Sequence, residues 1–182
     1  MTHDQPQEVI DYWLETLSTD DWYGAPPEVD AEIARRFGDL FERLSEEVPD
    51  AWLRSPQERL AAILVLDQFP RNIYRGSPRA FATDAKALAL SKDAIATGAD
   101  RELPPEQRAF LYMPFQHAEN LADQCRSLEL FEYLGNPNNL DFAVRHYEII
   151  ARFGRFPHRN AVLGRVSTPE ELSFLEQPGS SF

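Results

Sequence analysis

Two short stretches gather the side chains best suited to holding an anion. Asp67-Gln68-Phe69-Pro70-Arg71-Asn72-Ile73-Tyr74-Arg75-Gly76-Ser77-Pro78-Arg79-Ala80-Phe81 carries three arginines, with no acid from Phe69 to Thr83. Arg152-Phe153-Gly154-Arg155-Phe156-Pro157-His158-Arg159-Asn160 repeats that character, and both stretches hold Phe-Pro followed closely by Arg-Asn. A guanidinium offers a planar fork of donors matched to carboxylate or phosphate, so Arg71, Arg75, Arg155 and Arg159 read as an anion clamp. Asn72 and Asn160 would add neutral hydrogen bonds, and Asp67 would orient the arginines. The partner this implies is a small anionic molecule or an acidic peptide.

Histidines lie in or near the same region. His146 falls at helical spacing among Phe142, Ile149, Ile150 and Phe153, so its ring faces the core. His146, His117 or His158, beside Glu119 or Asp123, could serve as acid or base toward a phosphorylated or carboxylated metabolite. Gln116, Glu119, Asn120, Asp123 and Gln124 form one polar stripe if Phe115 to Leu134 is a single helix, and that stripe would wall a groove. Ala118, Leu121, Ala122, Cys125 and Leu128 would then face the core, with Cys125 an inert thiol. The ligand spacings of HExxH and similar sites are missing, so neither metal nor cofactor is expected.

A structural reading competes with both. The chain has 30 Asp and Glu against 18 Lys and Arg, so the arginines could pair internally and fasten loops. The sequence names no reaction and fixes no oligomeric state.

The elements that must position these residues are helices. Val9, Ile10, Trp13, Leu14 and Leu17 mark a first helix over 7–18, which the run Asp20 to Pro27 breaks. Ile33, Phe37, Leu40, Phe41 and Leu44 mark a second, over 28–47. Ser55-Pro56-Gln57-Glu58 is a capping box opening a third, which Pro70 limits. Further helices are expected up to Gly98, over Leu103 to Leu111, over Phe115 to Leu134 and over Asp141 to Phe153. A last one follows the capping box Thr168-Pro169-Glu170-Glu171, and 177–182 reads as a tail. No segment alternates apolar and polar residues as a half-buried strand would. The reading is all-α, one domain over 1–182.

Composition excludes several classes. A net charge of −12 and a pI near 4.7 argue against nucleic acid and anionic membrane surfaces. Basic charge is carried by 16 Arg and 2 Lys, a skew toward specific pairing. One cysteine permits no internal disulfide. The polar start Met1-Thr2-His3-Asp4-Gln5-Pro6 is unlike a signal peptide, and the apolar run Leu60–Leu66 is too short to cross a bilayer, so a cytoplasmic location is expected.

Three motifs carry a resemblance. Leu66 to Gly76 with Ala80-Phe81-Ala82-Thr83-Asp84, then Met113-Pro114-Phe115-Gln116-His117-Ala118-Glu119, then Arg152 to Asn160 are similar to the bacterial uncharacterised family called domain of unknown function 924. The likeness runs from the region of Trp13 and Trp22 to Phe182. Gln116 and Ala118 stand where Met and Ser are commoner, and Ala85 where Pro is common. The resemblance implies about seven to nine helices in antiparallel pairs, like tetratricopeptide repeats. It brings no activity, cofactor or catalytic residue.

Overall fold

The computed structural model describes residues 5–24 and 26–182; the polar start Met1-Thr2-His3-Asp4 lies outside them. Every regular element among these residues is helical, and apart from four short 3-10 turns they group into nine rods. They are α1 (5–16), α2 (Thr19–Gly24), α3 (Pro27–Glu46), α4 (56–73), α5 (Asp84–Thr97), α6 (Pro105–His117), α7 (Leu121–Leu134), α8 (Pro137–Phe153) and α9 (Pro169–Leu175).

The rod at the centre is α4. Its residues 60–66 are apolar on every side, and such a helix finds its minimum only when surrounded. All seven are sealed from solvent, as are Asp67 and Phe69 beyond them. Packed around α4 are α1, α3, α5 and α6. Phe69 meets both Trp13 of α1 and Phe37 of α3, at ring separations of 5.6 and 4.9 Å. Ser55 and Glu58 form the expected capping box, and Thr168 and Glu171 form the second.

Successive helices α6, α7 and α8 pack on one another through very short connections, which forces antiparallel neighbours. Asn120 caps α7, its side chain accepting the Asp123 N–H at 3.1 Å. Gly135 then ends α7 at φ 77°, where a Cβ would be strained, and Asn136 caps α8 in turn.

Several expected boundaries shift. Pro114 does not open a helix but sits within α6, and the chain turns at 118–120 before α7 begins. Phe115 to Leu134 is therefore two helices. Their relative angle buries Gln116 and Gln124, while Leu121 and Cys125 are exposed. The polar stripe is thus not one solvated face, and Cys125 is a surface thiol rather than a core one. Residues 19–24, expected as a break, form α2.

Pro70 also fails to stop its helix. Residues Leu64–Gln68 widen into a π turn, with the Phe69 N–H bonded to Leu64 O, and helical backbone continues to Ile73. Lacking an N–H, Pro70 leaves the Leu66 carbonyl without its usual partner. The Thr83 hydroxyl donates to that carbonyl at 2.6 Å. The π turn sets the direction of Asp67 and Gln68.

Candidate functional site

A cavity of about 570 Å³ opens between the C-terminal half of α4, the end of α6, α8 and the 157–160 turn. Both arginine stretches reach it. Arg71 forks onto Asp84 at 2.9 and 3.0 Å, and Arg159 Nη1 reaches the same carboxylate at 3.3 Å. Asp84, the first residue of α5, therefore joins two segments far apart in the chain. The Arg159 guanidinium lies between the rings of Phe81 and Phe156, each 4.5 Å from its central carbon. Aromatic faces favour a cation at that distance.

The two arginines differ in how fully they are occupied. Arg71 also donates to the Asp67 carbonyl, so both of its terminal nitrogens are engaged. Arg159 is nearly buried, yet the 3.3 Å contact is the one hydrogen bond its side chain makes among the described residues. Its Nε is sealed without a partner, whereas Nη2 is not sealed. Burial and the neighbouring Arg71 charge push its pKa down to about 10. It remains a cation at neutral pH, held where a cation is costly.

Asp67 lies behind the cavity wall rather than in it. Its Oδ1 is 2.8 Å from His117 Nδ1, its Oδ2 accepts from Gln68 Nε2 at 2.6 Å, and Arg71 Nη1 stands 3.6 Å away. Burial alone would raise its pKa, but His117, Arg71 and these hydrogen bonds outweigh it and hold the carboxyl well below the usual range. His117, at the end of α6, is pushed down by burial and then by Arg71. His146 donates from Nδ1 to Phe142 O at 2.7 Å, and burial and His117 lower it to about 3. Burial and Arg159 lower His158 to about 4. All three imidazoles are neutral at pH 7.

The remaining wall is largely aromatic. Trp22, Tyr23, Phe131 and Phe142 contribute, and Phe182 stacks on His146 with ring centres 3.8 Å apart. Residues 177–182, read from the sequence as a tail, thus run back to the cavity, where Gly179, Ser181 and Phe182 form part of its lining.

Of the residues singled out in the sequence, Arg71, Asn72, Arg75, Gln116, His117, His146, His158 and Arg159 line this space. Arg75 and Asn72 are nonetheless held by Asp30, at 2.7 and 2.8 Å. Arg155, Asn160 and Glu119 are turned elsewhere. Arg155 forks onto Glu171 at 2.7 and 2.8 Å and donates to Val166 O at 2.9 Å. Asn160 donates to Ser167 and Glu171, and Glu119 takes the Phe156 N–H at 2.7 Å and both ends of Arg165. These three fasten the 155–166 loop and stand outside the cavity lining. No group of three His, Cys, Asp or Glu side chains among the described residues has metal-binding geometry.

Sequence reasoning missed Asp84, Arg145, Trp22, Tyr23 and Phe182. Asp84 had a signal, the acid that ends the acid-free stretch, but its second partner lies 75 positions away. The aromatic wall had none, because its rings come from α2, α7, α8 and the C-terminal residues, far apart in the chain.

Residues 9–179 match the family described as bacterial protein of unknown function, DUF924. The chain belongs to this family. This DUF924 member also resembles a solved protein of unknown function from Agrobacterium tumefaciens, with 38% identity, a TM-score of 0.89, and coverage of 94% of this chain and 96% of the other. No curated protein matches it. No helix of the described residues of this DUF924 protein is long and apolar enough to cross a membrane.

Proposed function

We propose that the cavity binds a small aromatic anion, a carboxylate or a phosphate carried on a ring. One observation carries the reading. Four arginines and three histidines line the cavity, and no Asp or Glu side chain does among the described residues, although the chain has 30. The balancing acids Asp67, Asp84 and Asp30 sit behind the arginines, so a ligand meets donors first. Arg159 is the buried arginine with donors to spare, and a buried guanidinium gains most from a new charge-assisted hydrogen bond. The aromatic wall supplies stacking for the ring. The volume suits a small molecule rather than a folded partner.

Thermal-shift titration with benzoate, phenyl phosphate and benzylamine tests this, because a ligand of the folded state raises its melting temperature. The two anions are expected to stabilise the wild type and benzylamine is not. Arg159→Gln should abolish the shift, while Arg79→Gln, whose guanidinium pairs with Glu42 away from the cavity, should keep it. An equal benzoate shift in Arg159→Gln, or a larger shift with benzylamine, would overturn the proposal.

A further inference from the structure

The Asp67–His117 pair is left idle if the cavity only binds. An ionised carboxylate can only accept, so His117 Nδ1 carries the proton and donates it to Asp67 Oδ1 over 2.8 Å. That tautomer leaves Nε2 as a lone-pair acceptor. Nε2 has no hydrogen-bond partner among the described residues and is not sealed, and the ring lines the cavity. Asp67 is itself fully buried and fixed by Gln68 and Arg71, so the imidazole is held in one orientation. The carboxylate arises from a π turn, a distortion found frequently at functional sites. Two further donors meet the cavity near this base, Arg159 Nη2 and the side-chain amide of Gln116.

We propose that Asp67 and His117 form the general base of a hydrolase acting on small aryl carboxylic esters. The proposal rests on the anion-binding reading and extends it: the anion that Arg159 favours is the oxyanion of the reaction and then the carboxylate product. Among the described residues, the hydroxyl-bearing or thiol-bearing side chains that line the cavity are Tyr23 and Ser181, and neither hydrogen-bonds to His117, so the nucleophile assigned is water. The water oxygen bonds to the acyl carbon while its proton passes to His117 Nε2. The carbonyl electron pair moves onto oxygen, where the Arg159 N–H donor stabilises it. Collapse reforms the carbonyl and breaks the acyl–oxygen bond, and the departing aryloxide takes the proton back from His117. Ester and water become a phenol and a carboxylic acid, which ionises against Arg159 and releases its proton to solvent.

The base is set for neutral pH. His117 faces Asp67 and Arg71 from α4, Asp84 from the start of α5 and His146 from α8. Burial and Arg71 together keep the imidazole below its ordinary value, so Nε2 is unprotonated at pH 7. His117 is the catalytic residue here and Asp67 a positioning residue.

The test is hydrolysis of 4-nitrophenyl benzoate by the full chain, followed by release of 4-nitrophenolate. Saturable turnover that benzoate inhibits is expected, since a reactive surface imidazole would show neither property. His117→Gln should lower kcat/KM by about 100-fold or more, the usual range for losing a general base. Asp67→Asn should lower kcat with KM little changed, and the wild-type rate should rise with pH through a midpoint below the ordinary imidazole pKa. Turnover in folded His117→Gln within about threefold of wild type, or wild-type turnover no faster than that variant, would overturn the proposal. Calorimetry with benzoate separates the two readings: benzoate binding without ester turnover removes the base and leaves the binding site standing. If Asp67→Asn does not fold, His117→Gln decides alone.

Discussion

Acidification from about pH 7.5 to about pH 5 should destabilise this protein steeply, and the buried histidines fix the amount. His146 and His158 titrate near 3 and 4 in the fold, against an ordinary value of 6.5 in the unfolded chain. Between those limits the unfolded state binds a proton that the native state refuses, so stability rises with pH and falls as pH drops. Integrated from pH 7.5 to pH 5, each such histidine removes about 2 kcal/mol, or about 4 kcal/mol for the pair. His117, shifted in the same direction, adds to this. A loss of that size is a large share of the ~5–15 kcal/mol that holds a domain together. The carboxylates Asp67, Glu119 and Glu171 are all lowered, so their stabilising contribution is lost mainly below about pH 5, as pH falls through the ordinary carboxylate range toward the lowered values. The window is therefore diagnostic of imidazole. Urea titrations at several pH values, read by circular dichroism, give the slope directly. Replacing His146 and His158 with Gln should flatten it, whatever those substitutions do to stability at pH 7.5. A wild-type loss below about 1 kcal/mol over the window, or an unchanged slope in the double variant, would refute the reasoning.

Two further outcomes follow from the packing. Thr83→Val should cost about 1–3 kcal/mol, because it leaves the Leu66 carbonyl buried beside Pro70 without a donor; urea unfolding measures it, and no change would mean another donor satisfies that carbonyl. Cys125 is exposed, so iodoacetamide should label the native protein promptly and leave its melting temperature unchanged, whereas labelling only after unfolding would contradict its placement.

The helices were legible where local pattern decides them. In α3 the residues that the spacing picks out, Ile33, Phe37, Leu40, Phe41 and Leu44, are all buried, and Val29 joins them. The two capping boxes were legible because all their partners lie within four residues. What misled was proline. Pro70 and Pro114 both read as boundaries, yet each lies within a helix, the first where a distant hydroxyl satisfies the carbonyl that its missing N–H leaves free. Gln124 shows the same limit: as one of a polar stripe it reads as solvated, but it is buried and donates to the Gln116 and Ala118 carbonyls at 2.7 and 2.8 Å, stitching the turn between α6 and α7. The arginines show it most clearly. Their spacing says that they form a charged hub, but which of them has a partner depends on Asp30, Asp84, Glu119 and Glu171 arriving from elsewhere in the fold.

The sharing of Asp84 has a consequence for how this protein can be handled. One carboxylate fastens a segment near residue 71 to another near residue 159, so the cavity is a property of the closed chain and not of any fragment. A benzoate that binds there would report on completion of the fold: it should dissociate whenever the 155–166 loop lifts, well before the α4 core melts. Occupancy would then serve as a clock for local opening. Its release rate would track amide exchange in that loop rather than the slower exchange of the centre.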